Sequence, residues 1–224
     1  LPLVSLKKNT TAATFGPASD AAYVIDYPED LQVFGLSFAT NVGGWAWSGE
    51  ASMTKDLPIQ INATDLLRAG LTGGSGAGGG ATAPRDLNQR IATTPGGQIA
   101  NGFDRFDVTQ IQNTFIKTFD RALGSSQVVF VGEVAAVFVD DLPAINTNVG
   151  AGGSSSGIRY GRSAVFGGGS DAGNSINGFV TDFAWGYRMR AAATYRDVFL
   201  GTDLIPSIAW SHDVDGWSPE PGQA

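Results

Sequence analysis

The chain contains no cysteine, one histidine and few charged residues, and each shortage excludes a class of function. Without cysteine there is no disulfide and no thiolate metal site, which is compatible with passage through an oxidising periplasm. Charged residues make up 16% of the chain, against about 25% in typical soluble proteins. The net charge of -7 argues against a nucleic-acid partner. No apolar run approaches about 18 residues, so no transmembrane helix is expected.

What the chain has instead is alternation between apolar and small polar residues. A two-residue turn at Gly43-Gly44 predicts a hairpin over 34–53, because glycine accepts the positive φ that such turns require. One face then carries the bulky apolar side chains, while the other carries small groups and the single acid Glu50. The predicted apolar face includes Phe34, Leu36, Phe38, Trp45 and Trp47.

The same pattern recurs over 179–196, where aromatic residues alternate with arginines. We expect Phe183, Trp185 and Tyr187 on one face and Asp182 on the other, since residues two apart in a strand project the same way. A further strand is predicted over 204–213. It includes Trp210 on its apolar face, and Pro206 marks a bulge or a weakly paired point because proline cannot donate to the ladder. The arginines of the polar face are Arg188, Arg190 and Arg196.

A third hairpin is predicted from 106–119 and 127–139. The second arm is a β-branched run that includes Glu133. The first arm has two interpretations, because Val108, Ile111 and Phe115 also recur at the spacing of an amphipathic helix. We favour a strand, which places Gln110, Gln112 and Thr114 on one face and leaves Asn113 among apolar residues.

The connections alternate between short and long. Those at 43–44, 120–126 and 197–202 are short, whereas 55–105 and 140–178 are long and rich in glycine and small polar residues. Outer-membrane barrels show this alternation, with short periplasmic turns and longer extracellular loops. Within the first long connection we expect a brief helix over 62–71, followed by a flexible glycine-rich stretch over 73–80.

These patterns predict an all-β fold, an antiparallel up-and-down transmembrane β-barrel. The whole chain, 1–224, would be one partial barrel domain of about six strands, or three hairpins. An arm of about 10 residues, tilted by about 40°, spans roughly 25 Å, the height of the apolar band of such barrels. Six strands leave two open edges, so the missing strands are expected from elsewhere in a longer parent chain. A soluble secreted β-sandwich is the structural alternative.

Several segments make the chain similar to a known family. YVIDYPEDLQVFGLSFAT, WSGEAS, VVFVGEVAAVFVDDLP, DFAWGYRMR and LIPSIAWSHDVDGWSPEPG resemble, in order, the Gram-negative family catalogued as domain of unknown function 1302. The resemblance implies a bacterial outer-membrane β-barrel, longer than this chain, whose partners are outer-membrane lipid, a small-molecule solute and components of large exporters.

Candidate chemistry is limited, and we expect no enzyme, no cofactor and no metal site. Ser211, His212 and Asp213 suggest a catalytic triad, but consecutive strand residues point to opposite faces and cannot converge. We expect His212 at a membrane interface, at a strand end.

The best candidate site is a lumen lining formed by Arg188, Arg190, Arg196, Asp182, Glu50 and Glu133. Either the arginines set the selectivity of a pore, as rings of like charge do, or they pair with the acids and fill the lumen.

Two function classes follow. One is a channel or transport component for small solutes, apolar or amphipathic if the link with exporters holds. The other is a surface-exposed structural protein or adhesin that binds through its long loops.

Overall fold

The computed structural model describes residues 3–8, 22–71, 84–144, 157–161 and 178–219. Over these residues the chain folds mainly into antiparallel strands, with two short helices. In chain order the elements are β1 (Leu3–Lys7), β2 (Ala22–Asp26), β3 (Gln32–Val42), β4 (Trp45–Gln60), α1 (Ala63–Leu71), α2 (Arg85–Thr93), β5 (Ile99–Ala100), β6 (Phe103–Asp120), β7 (Gln127–Val139), β8 (Phe183–Phe199), β9 (Thr202–Leu204) and β10 (Ser207–Asp215).

The main sheet is an up-and-down meander in the order β10-β8-β7-β6-β4-β3, with β9 paired to β8. Its first hairpin has the predicted register, since Val42 pairs with Trp45, Phe38 with Gly49 and Phe34 with Met53. Gly43 and Gly44 have φ values of 60° and 78°, the left-handed conformation that this tight turn needs. The local turn chemistry therefore sets which side chains share a face.

The segment with two interpretations forms a strand. β6 has 18 residues and pairs with β4 on one side and β7 on the other. The alternation is imperfect, since Phe106 and Val108 share a face with Gln110. Pairing along both edges satisfies the backbone groups of β6, so the neighbouring strands rather than the local pattern decide between strand and helix.

Several predicted strand boundaries differ from those of the structure. β8 begins at Phe183 rather than 179, so Asp182 precedes the strand. Phe179 and Val180 are instead buried away from the sheet face, and the Val180 amide donates to the Tyr160 carbonyl. The last predicted strand is interrupted at Pro206, which separates β9 from β10. This break agrees with the expectation that proline is a weak point in the ladder.

A small folded unit, here called the cap, lies at the end of the sheet where the long connections begin. It consists of α1, α2, segment 157–161 and the three-stranded sheet β2-β1-β5. The first long connection, predicted over 55–105, is shorter in the structure, because β4 extends to Gln60 and β6 starts at Phe103. The helix expected over 62–71 is present as α1, while the glycine-rich stretch 73–80 lies outside the described residues.

The apolar core lies in the cap and under the adjacent strand ends. Ile61, Leu66, Leu87 and Ile91 have 0% exposure. The centre of the main sheet, in contrast, has no second layer over either face among the described residues, and most of its side chains are intermediate or exposed. The chain thus combines one compact core with a long two-faced sheet. The core cluster is completed by Leu6, Ile59, Ala69, Ala100, Phe106, Val108, Val139, Ile158, Tyr160 and Val180.

The sheet is open over the part of the chain that the structure describes. β3 and β10 are its edges, and every residue of β3 is exposed. Leu36 and Ile208, on these edges, are 77% and 70% exposed. The antiparallel all-β architecture is confirmed, and the described strands do not close into a barrel. Neither described helix has the length and apolar character needed to cross a membrane.

Candidate functional site: the polar face of the main sheet

The strand register aligns polar residues into rows that cross the main sheet on one face. The first row pairs Ser48 of β4 with Thr114 of β6, which pairs with Glu133 of β7. Glu133 pairs with Arg188 of β8, and Arg188 with a serine of β10. Side chains at paired positions lie about 5 Å apart, so this row forms a continuous polar strip.

A second row lies two residues along each strand, on the same face. It runs from Glu50 of β4 to Gln112 of β6, then through small residues to Asp213 of β10. Gly186 of β8 is opposite Asp213, and a Cβ added at Gly186 would lie 2.9 Å from an Asp213 carboxylate oxygen. The glycine therefore leaves room for that carboxylate on the polar face.

These rows border a shallow pocket of about 180 Å³ over β6, β7, β8 and β10. Gln110, Gln112, Glu133, Arg188 and Asp213 contribute its amide and charged groups. Among the described residues, neither Glu133 nor Arg188 forms an ion pair, although their backbone positions are directly opposite. Their charges are therefore available to water or to a solute. This pocket could hold a small polar group between a cation and an anion.

The other residues predicted for this site fall at increasing distances from it. Arg190 occupies the next row towards the short turns, where it pairs with Val131 and Ala209. Arg196 lies beyond the last β7 pairing, and Asp182 lies before β8 begins and is exposed. The structure brings Arg188, Glu133 and Glu50 onto neighbouring rows but does not bring Arg196 or Asp182 to them.

The opposite face of the main sheet is aromatic. The Phe38 ring meets the Trp47 ring edge-on at 4.7 Å, and Trp47 stacks on Phe115 at 5.9 Å. Asn113, the polar residue expected to be out of place here, accepts a 3.0 Å hydrogen bond from the Trp47 indole. The remaining residues predicted for this face are exposed or partly exposed on the same side: Phe34, Leu36, Trp45, Phe183, Trp185, Tyr187 and Trp210.

Ser211, His212 and Asp213 do not converge. Ser211 pairs with Arg188 and Asp213 with Gly186 on the polar face, whereas His212 pairs with Tyr187 and meets its ring edge-on at 5.6 Å on the aromatic face. His212 lies within β10 rather than at a strand end. No group of acidic or histidine side chains suited to a metal ion occurs among the described residues.

Sequence reasoning did not identify a buried ion pair in the cap. Arg159 donates two hydrogen bonds to Asp65, of 2.8 and 2.6 Å, and the two side chains are 2% and 1% exposed. The Arg159 guanidinium also lies 4.6 Å from the centre of the Phe179 ring. The only local signal was an arginine within a long connection of small residues, which does not indicate burial. This ion pair links segment 157–161, which contains Arg159, to α1, which contains Asp65.

A second polar contact in the cap joins three parts of the chain. The Tyr160 hydroxyl donates a 2.7 Å hydrogen bond to Asp104, which also pairs with Arg90 of α2 at 2.9 Å. Burial raises the pKa of Tyr160, and the hydrogen bond to the Asp104 carboxylate adds to the effect. Tyr160 therefore stays protonated and keeps donating at alkaline pH.

One of three comparisons with known proteins, the one with protein-family models, gave a match. The family model described as "Protein of unknown function (DUF1302)" matches residues 1–224. Comparisons with curated proteins and with solved structures gave no match. Because the family model covers the whole chain, the resemblance seen in the sequence is confirmed, and the chain belongs to the DUF1302 family of proteins of unknown function.

Proposed function

We propose that this chain forms part of an outer-membrane β-barrel and that its polar face lines a passage for small solutes. The observation that carries the proposal is the opposite chemistry of the two faces of one uncovered sheet. One face is aromatic and aliphatic, while the other presents amides, hydroxyls and both signs of charge. A membrane barrel has this arrangement, with an apolar band outside and a polar interior.

Strand length supports the same proposal. β7 has 13 residues, which at about 3.3 Å per residue and a tilt of about 40° span roughly 33 Å. This exceeds the apolar band of about 25 Å of an outer-membrane barrel. The long ends of β4 and β6 would then project beyond the lipid and carry the cap at the membrane surface.

The open edges fit the proposal if further strands pair with β3 and β10. In lipid each unpaired backbone group costs several kcal/mol, so an exposed edge would not persist there. Those strands would come from the rest of a longer polypeptide or from other copies of the chain. Closure would turn the polar face inward and leave the aromatic face against lipid.

The composition of the polar face favours a water-filled passage. Glu50, Glu133, Arg188 and Arg190 are spread over adjacent rows of the sheet, with glutamines and serines between them. Such a lining favours small water-soluble or amphipathic solutes over purely apolar ones. No residue in it is arranged as a nucleophile with a base, so the proposal is for passage rather than catalysis.

Conductance in planar bilayers tests the proposal, using the full-length protein that carries this chain. We expect discrete channels, and we expect Arg188→Glu with Arg190→Glu to shift the reversal potential under a salt gradient towards cation preference. Arg85→Glu is the matched control, because Arg85 lies on α2 in the cap with a 69% exposed side chain. Its reversal potential should match that of the unmodified protein.

Two results would contradict the proposal. Absence of conductance from correctly assembled protein would reject the channel and favour the alternative, a surface-exposed structural protein or adhesin. Conductance whose ion selectivity is the same with and without both arginines would show that the polar face does not line the passage. If the glutamate variant fails to assemble, Arg188→Gln with Arg190→Gln provides the same test without placing acids beside Glu133.

A further inference from the structure

The aromatic face contains a groove rather than an even surface. Its volume is about 590 Å³. Trp45, Trp47 and Phe115 form one wall and Tyr187 and Met189 the other, while Gly132 of β7 lies between them. Gly132 pairs with Phe115 on one side and Met189 on the other. Gly132 has no side chain of its own, and the Phe130 ring borders the groove there, 3.1 Å from the position of an added Cβ.

The groove crosses the sheet obliquely, from β8 and β7 to β4 and β3, over three rows of the register. One end lies at Val134 and Tyr187, the middle at Gly132, and the other end at Val42 and Trp45 beside the Gly43-Gly44 turn. Rows on one face are two residues apart, so the groove extends roughly 13 Å along the strand direction. It is apolar and elongated, and it can accommodate part of an extended hydrocarbon chain.

One positive charge lies at the turn end of the groove. The Lys117 ammonium is 4.9 Å from the centre of the Trp45 ring and 5.4 Å from that of Phe119. Its one hydrogen-bond acceptor among the described residues is the Gly43 carbonyl, at 3.5 Å. It forms no ion pair with the carboxylates of the described chain. The ammonium therefore has donors available for an anion above the turn.

We infer that this groove binds one acyl chain of a membrane phospholipid whose anionic phosphate head group contacts Lys117. The inference rests on the proposed function, since it requires the aromatic face to lie in lipid. The apolar walls accept the chain, and the lysine at the turn end selects a negative head group. An ammonium beside indole and phenyl rings can still bind a phosphate, because it has three N–H donors and the Gly43 carbonyl accepts from only one of them.

Quenching of tryptophan fluorescence by lipids with brominated acyl chains tests the inference. Trp45 and Trp47 report on the groove in a variant of the full-length protein whose other tryptophans, including Trp185, Trp210 and Trp217, are replaced by phenylalanine. The protein is reconstituted into phosphatidylcholine vesicles, with the bromine carried either by a minor phosphatidylglycerol component or by an equal amount of phosphatidylcholine. We expect brominated phosphatidylglycerol to be enriched at the groove up to about fivefold, the size of the effect of one lysine near anionic lipid.

Two variants should remove this preference, each with its own control. Lys117→Gln removes the charge, and Lys55→Gln, an exposed position of β4, should leave the preference intact. Gly132→Leu fills the groove, since even a Cβ there would lie 3.1 Å from the Phe130 ring. Gly35→Leu makes the same change on the polar face, where an added Cβ has no neighbour within 4 Å. It should not alter quenching.

Each contrary outcome has one meaning. Equal quenching by both brominated lipids would overturn the lipid site while leaving the barrel in place. No quenching by either would place the aromatic face outside lipid and overturn the proposed function as well. Loss of preference in Lys117→Gln but not in Gly132→Leu would reject the groove and leave only a charged contact at the turn.

Discussion

The buried pair between Arg159 and Asp65 should control the stability of the cap. Replacing Arg159 by methionine keeps an unbranched side chain but removes both hydrogen bonds, which are 2.8 and 2.6 Å long. Asp65, 1% exposed, would then lose two charge-assisted hydrogen bonds in the interior. Breaking a buried pair by removing one partner costs about 3 to 5 kcal/mol. We expect a loss of that size, confined to the cap.

Amide hydrogen exchange measures this loss locally. The Asn62 amide donates to the Arg159 carbonyl and the Gly161 amide to that of Gln60, so both report whether segment 157–161 stays attached. Their protection should fall by at least about 100-fold, since each 1.36 kcal/mol changes an equilibrium constant tenfold. Amides of β7 and β8, which pair with each other over most of their length, serve as the internal reference and should not change.

Two further variants separate charge from packing. Arg85→Met removes an exposed arginine paired with Asp86 at 3.4 Å and should change protection little, since exposed pairs contribute about 0 to 1 kcal/mol. Arg159→Met combined with Asp65→Leu removes both charges of the pair and should recover part of the lost stability. If Arg159→Met behaves like Arg85→Met, the reasoning from buried charge is refuted.

Two other predictions concern the orientation of the sheet. Phe38→Arg, on the aromatic face, should lower the free energy of unfolding in lipid by about 2 to 4 kcal/mol if Phe38 lies near the bilayer midplane. Ser48→Arg, on the polar face, should lower it much less. Equal losses in denaturant titrations would contradict the two-faced arrangement. Because the chain has no cysteine, single cysteines can be introduced at the exposed Ala63 of α1 and the exposed Thr202 of β9. On intact cells, an impermeant thiol reagent should label the cysteine at 63 and not the one at 202. Labelling of both would reject a cap that faces the outside of the cell.

Part of this fold follows from neighbouring residues alone. The Gly43-Gly44 turn sets the register of its hairpin, and the register sets both faces. The same period of two places Arg188 and Arg190 on one face of β8. These features could be predicted because a strand's alternation and a two-residue turn are decided within a few residues of the chain.

The candidate site could be predicted only in part. Glu133 and Arg188 are opposite each other because β7 and β8 pair in one register, and the long connection between them carries no information on that register. Asp182 was assigned to the site because alternation appeared to continue back to Phe179. The chain instead turns there, since burying Phe179 against the Arg159 guanidinium places it in the cap.

The sequence by itself determined the two faces of the main sheet and the Gly43-Gly44 turn, since each depends on local backbone preferences and the period of side chains. Only the tertiary structure decided the cap. Asp65 and Arg159 are 94 residues apart, and neither has a local pattern that marks it as buried. They pair when α1 and segment 157–161 come together over the strand ends. There both side chains are removed from water, and the ion pair offsets part of the cost of burying each charge.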